Sequence, residues 1–142
     1  MKDMTTGTDL RQARVMDPAV LGVDLMAEAE RLRGEPSWME HGRASKTLAK
    51  ASQFRLVLSL LRAGGEIGED DAWAPLAVHV LQGAASATRG QDGTELVAGG
   101  LAWFGEGAGW SVRATEDAIL LLAMSWPDER ATRTVDGEEA AR

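Results

Sequence analysis

Residues 76–114 read LAVHVLQGAASATRGQDGTELVAGGLAWFGEGAGWSVRA, and the punctuation of this stretch decides the fold. Short runs with apolar residues follow one another closely: Leu76 to Leu81, Ala84 to Thr88, Glu95 to Ala98, Leu101 to Phe104 and Trp110 to Ala114. Between them stand only turn signals, namely Gln82-Gly83, Arg89-Gly90-Gln91-Asp92-Gly93, Gly99-Gly100 and Gly105-Glu106-Gly107-Ala108-Gly109. Gaps this short leave no room for the crossover helices that parallel strands require. The pattern therefore predicts an all-β, antiparallel sandwich or barrel.

Outward from that stretch the same period continues in both directions. Upstream, from Ser45 onward, the spacing is two: Phe54, Leu56, Leu58 and Leu60 alternate with Arg55, Val57, Ser59 and Leu61, which reads as a strand with the first set buried. Ala63-Gly64-Gly65 breaks it, and Ala118 to Trp126 makes a last strand. Further upstream the period is helical. Asp17-Pro18 reads as an N-cap with proline in the first turn, and Leu21, Leu25, Ala29 and Leu32 form an apolar stripe that Gly34 and Pro36 end. One amphipathic helix of this length, over about 18–33, is marginal alone and must dock, either on the outside of its own barrel or on a second subunit. The chain thus divides into an N-terminal polar segment and helix over 1–42, a barrel over 43–126, and a charged, flexible tail over 127–142. The first sixteen residues are polar, aperiodic and expected to be mobile.

Composition narrows the partners. With 142 residues, 44% of them hydrophobic and 26% charged, the chain can bury one continuous core. The net charge of −7 disfavours phosphate backbones and anionic membrane surfaces. There is no cysteine, so disulfides and thiolate ligands are excluded, and a cytoplasmic location is expected. The N-terminus has no apolar core of a secretion signal, and no apolar run is long enough to cross a bilayer.

The glycine spacing of these strands resembles the cupin superfamily of jelly-roll barrels, over about residues 43–126. Gly64 and Gly83 stand where the first cupin motif opens and closes, across GGEIGEDDAWAPLAVHVLQG. Gly99 opens the second motif, Gly107 takes its later glycine position, and Gly105 stands where that motif has proline. The resemblance implies a transition metal held by three histidines and a glutamate, and those positions fall here at Asp70, Ala72, Leu76 and Trp110. A carboxylate, a methyl, an isobutyl and an indole replace them, and an indole nitrogen is a donor that cannot coordinate a metal. A slip of one residue offers Glu69 and Asp71 instead, still without imidazole. Of the two histidines, His41 precedes the barrel and His79 is an odd number of residues from Leu76, on the opposite strand face. No metal, no cofactor and none of the family's metal-dependent chemistry is therefore expected, and no catalytic residue is assigned.

The acids Glu66, Glu69, Asp70 and Asp71 crowd one mouth loop, as a solvated run, a hard-cation site or an acid–base pair. Trp73, Trp103, Trp110 and Trp126 lie in the barrel segment, while tyrosine is absent. Aromatic walls with a few acids suit a planar ring, a sugar or a cation, and equally an indole can plug a cavity that a metal vacates. The candidate ligand-binding residues are Asp70, Trp73, Leu76, Trp103 and Trp110. Three functions follow: a metal-free small-molecule binding or regulatory module, a structural homodimer with a barrel filled by its own side chains, or an acid-based enzyme without a transition metal.

Overall fold

The computed structural model describes residues 17–125. The segment expected to be mobile over 1–16, the tail over 127–142 and Trp126 lie outside them. Among the described residues two helices, α1 (Leu25–Arg33) and α2 (Pro36–His41), precede nine strands. These are β1 (Arg43–Lys50), β2 (Phe54–Leu61), β3 (Glu66–Glu69), β4 (Leu76–Gln82), β5 (Ala84–Arg89), β6 (Asp92–Val97), β7 (Leu101–Phe104), β8 (Trp110–Ala114) and β9 (Ala118–Ser125). No described helix is long and apolar enough to cross a membrane.

The strands form a five-stranded sheet in the order β1-β2-β9-β4-β7 and a four-stranded sheet in the order β3-β8-β5-β6. All pairings are antiparallel. From β2 onward the chain passes between the sheets at nearly every turn, which is the jelly-roll path. Leu61, Val78, Val80, Phe104, Val112, Leu120 and Leu122 fill the space between the sheets. The glycines that carry the motif spacing are structural: Gly64, Gly83, Gly99 and Gly107 all adopt positive φ.

The structure corrects four expectations about local elements. The helix starts seven residues later than the Asp17-Pro18 signal suggested. Asp24 is its N-cap, with its side chain accepting from the Ala27 amide at 3.1 Å, and Gly22 weakens any helix across residues 18–24. Pro36 does not end the helical region but occupies the first turn of a second helix, α2. The acid-rich mouth segment contains a strand, β3, which pairs with β8. There Glu66 lies opposite Arg113 and accepts a hydrogen bond from the Ser111 hydroxyl. Poor strand formers extend because a partner strand supplies the ladder.

The fourth correction concerns which face of β2 lies inside. Leu58 and Leu60 pack with Ala29 and Leu32 beneath α1, on the outside of the five-stranded sheet, and Leu56 joins them. Val57 and Leu61 face the barrel interior instead. FRLVLSLL is apolar at both half-periods because the sheet is covered on both faces, so alternation alone cannot say which set is inner.

The helix is held to the sheet by an ion pair as well as by this apolar seam. Glu28 is 7% exposed, and it accepts from Lys46 of β1 at 2.5 Å and from Arg31 at 2.6 Å. Burial opposes its charge, but the hydrogen bonds and charges of Lys46 and Arg31 outweigh burial and hold its pKa below the ordinary glutamate value. A depressed folded-state pKa stabilises the fold above the ordinary range and ceases to do so as pH falls through the folded value. Glu28→Gln should cost about 1.5–3 kcal/mol near neutral pH, the range for hydrogen bonds to charged groups. Urea melts should show this gap closing as pH falls through and below the ordinary glutamate range. A gap that is constant with pH would assign the effect to packing rather than charge.

Candidate functional site

One end of the barrel is open. β3 ends there at Glu69, β4 starts at Leu76, β8 starts at Trp110 and β9 ends at Ser125. Between them lies a pocket of about 660 Å³. Its inner wall is Leu76 and Trp110, 3% and 7% exposed, with Met124 half-buried beside them. Its rim carries Glu69, Asp71 and Glu106, all exposed, and the exposed indole of Trp73.

Two mouth loops build that rim, and the backbone joins them. The Gly109 amide donates to the Ala72 carbonyl at 2.8 Å, and the Gly107 amide donates to the Trp73 carbonyl at 3.2 Å. Ser125 at the end of β9 donates its amide to Pro75 at 3.1 Å. From β5, the Arg89 guanidinium donates to the carbonyls of Gly109 at 2.6 Å and Gly105 at 3.0 Å. It lies over the Phe104 ring, and a Cβ at Gly107 would come within 2.8 Å of its Nη1. The glycine-rich run from 105 to 109 is thus a loop folded around an arginine side chain, and its rim geometry is set before any ligand arrives.

Trp110 belongs both to the pocket and to the core. Its ring meets Phe104 at 6.0 Å between centroids with a 51° tilt. Its Nε1 is buried and has no hydrogen-bond partner. Deeper in the barrel, Val78, Val80 and Leu120 are each fully buried, so the interior is open at the mouth and filled below.

The sequence-derived site residues divide accordingly. Trp73, Leu76 and Trp110 line the pocket. Asp70 does not: it is exposed, and its neighbours Glu69 and Asp71 take the wall positions, as the one-residue slip would have it. Trp103 is also elsewhere, 69% exposed on strand β7 and bordering a separate hollow with Arg89 and Asp92. Inward positions on β7 are Ala102 and Phe104, so the strand's pleat turns Trp103 outward. Glu106, Met124 and Ser125 were not singled out from the sequence, since only closure of the barrel brings β9 and the β7–β8 loop to the β3–β4 loop.

The shape of this barrel has known counterparts. A conserved protein of unknown function from Streptococcus pyogenes superposes with a TM-score of 0.59 at 22% identity, covering 80% of this chain and 93% of that one. A cupin superfamily protein from Desulfitobacterium hafniense superposes with a TM-score of 0.56 at 17% identity, over 61% of this chain and 80% of its own. The chain has the cupin fold. A salicylate 1,2-dioxygenase from Pseudoaminobacter salicylatoxidans contains a similar barrel, with a TM-score of 0.56 and 20% identity over 79% of this chain and 32% of that one. No protein-family model matches the sequence, and no curated protein matches it either.

The metal that the cupin resemblance implies does not fit these residues. Of the four corresponding positions, Ala72, Leu76 and Trp110 border the pocket and Asp70 does not. The three that do offer no lone pair to a metal, and Trp110 presents an N–H donor. Neither histidine lines the pocket. Among the described residues no three His, Cys, Asp or Glu side chains gather into a metal-binding group.

Proposed function

We propose that this cupin barrel is a small-molecule binding module that works without a transition metal. The observation that carries the reading is the pocket at the barrel mouth. It is bordered by three of the four positions that correspond to the cupin ligands, and these present methyl, isobutyl and indole groups. Its volume of about 660 Å³ falls in the range of small-molecule sites, mostly apolar with a few polar groups at the edge. Titration of the full chain with a panel of amines, sugars, carboxylic acids and heterocycles, followed by tryptophan fluorescence, tests it. At least one class should give a saturable change, and a panel without any would overturn the reading. Elemental analysis of untagged protein should find far less than one iron, nickel, manganese, copper or zinc per chain, and about one equivalent would overturn the metal-free part.

A second reading, a homodimer acting through its surface, draws on one observation. Leu101 and Trp103 are 63% and 69% exposed on β7, the edge strand of the five-stranded sheet. Pairing there would cover both apolar side chains and an unpaired edge. Light scattering should then give about twice the 15.2 kDa chain mass, and the monomer mass at all concentrations would exclude it. An acid-based enzyme would need a buried carboxylate facing the pocket. Glu69, Asp71 and Glu106 are all exposed, so no observation favours that reading.

A further inference from the structure

Arg89 is not on the wall of the mouth pocket, yet the pocket's rim and its inner wall both lean on it. We infer that Arg89 is the positioning residue of the binding site, an inference that rests on the binding reading above. The rim route runs through the glycine-rich loop. Among the described residues no backbone hydrogen bond closes 105–109 on itself. Three of its five residues are glycine, so ordering it costs more backbone entropy than ordering most loops of that length. The bonds that hold it go outward, from two carbonyls to Arg89 and from two amides to Ala72 and Trp73. Ala72 and Trp73 are themselves in a mouth loop, so of these ties only that of Arg89 begins on a strand, β5. One side chain therefore sets the place of Glu106 and, through the two amides, of Ala72 and Trp73, all three on the pocket.

The inner-wall route is aromatic and independent of those bonds. The guanidinium lies over the Phe104 ring at 5.6 Å, and Phe104 meets the Trp110 ring at 6.0 Å. Phe104 is buried, so a change on its Arg89 side is passed to the pocket wall rather than to solvent. An arginine serves both routes because its planar fork donates at the edge while its face stays free to stack. Arg89 makes no ion pair among the described residues, so no carboxylate competes for it. A lysine would keep the charge near the ring, but its single nitrogen cannot reproduce the fork.

The test uses the full chain labelled with 5-fluorotryptophan and compares Arg89→Met with Arg62→Met. Arg62 has the same chemistry at another place: it stacks on Trp38 at 4.6 Å and donates to the Trp38 carbonyl at 3.2 Å. Arg89→Met should shift the Trp73 and Trp110 fluorine resonances and leave that of Trp38 in place, and Arg62→Met should do the reverse. Hydrogen exchange of the Gly107 and Gly109 amides should quicken by at least about tenfold in Arg89→Met, more than at Val78 within β4, although Arg89 is not their partner. Each amine, sugar, carboxylic acid or heterocycle that the unaltered chain binds should bind Arg89→Met at least about tenfold more weakly, and Arg62→Met equally well. If Arg89→Met does not fold, Arg89→Lys serves, with changes of the same sign and smaller size. Unmoved Trp73 and Trp110 resonances, or unchanged affinity for the bound compounds, would overturn the inference and leave the binding module standing. A panel in which nothing binds would overturn the binding reading, and the fluorine shifts and amide exchange would still decide whether Arg89 holds the two loops.

Discussion

Trp110→Ala should cost roughly 3–5 kcal/mol of stability, the range for removing a large buried aromatic side chain. The indole is buried against Leu76, Phe104 and Val112 in the core between the sheets, and its removal would extend the mouth pocket into that core. The neighbours that would have to collapse into the space are strand residues in fixed register, Leu76 opposite Phe104 and opposite Met124, so relaxation is limited. Trp110→Phe should cost far less, about 1 kcal/mol or below, since it deletes a buried donor with no partner along with part of the ring. Denaturant melts of both variants check this. A loss below about 1 kcal/mol for the alanine variant is typical of a surface substitution, and would show that the indole only walls an open pocket.

Gly83→Ala is the other substitution with a large expected effect, and it acts through the backbone. Gly83 joins β4 to β5 with φ of +87°, and a Cβ there would stand 2.0 Å from the Asp117 carbonyl oxygen and 2.9 Å from the Ala118 Cα. Those atoms cannot retreat easily. The Asp117 side chain accepts from the Ala63 amide at 2.8 Å, and Ala118 begins β9 opposite Leu61. Left-handed strain of about 1–2 kcal/mol and overpacking of about 1–3 kcal/mol add to an expected loss of about 2–5 kcal/mol. Gly90→Ala is the matched control. Its φ is +60° with no atom within 4 Å of the added Cβ, so it should show the strain alone. Equal losses at the two positions would show that the close approach to Asp117 relaxes at no cost.

The glycine spacing told more than the hydrophobic pattern did, for a physical reason. Gly64, Gly83, Gly99 and Gly107 stand at positive φ, where other residues are strained, so their positions in the chain report backbone geometry directly. That spacing placed the pocket, because the positions counted from these glycines at Ala72, Leu76 and Trp110 do line it. It also showed that none of those positions carries an imidazole, since residue identity is read directly. Side-chain direction within the mouth loop was less legible. Asp70 and its neighbours are chemically alike, and a shift of one residue exchanges the wall for solvent.

From its sequence alone this protein is an antiparallel barrel with glycine-set corners, a helical N-terminal element and no imidazole at the barrel mouth. All of that follows from local period, turn chemistry and residue identity. Only the tertiary structure decided which apolar set of β2 faces inward, because α1 covers the outer face and makes both sets apolar. Only the closed barrel brought Glu106 from the β7–β8 loop and Met124 and Ser125 from β9 against Glu69 and Asp71. Those residues are far apart in the chain and carry no local signal of one another. The charge and shape of the pocket are set by strand register and loop docking, which arise from packing across the whole barrel.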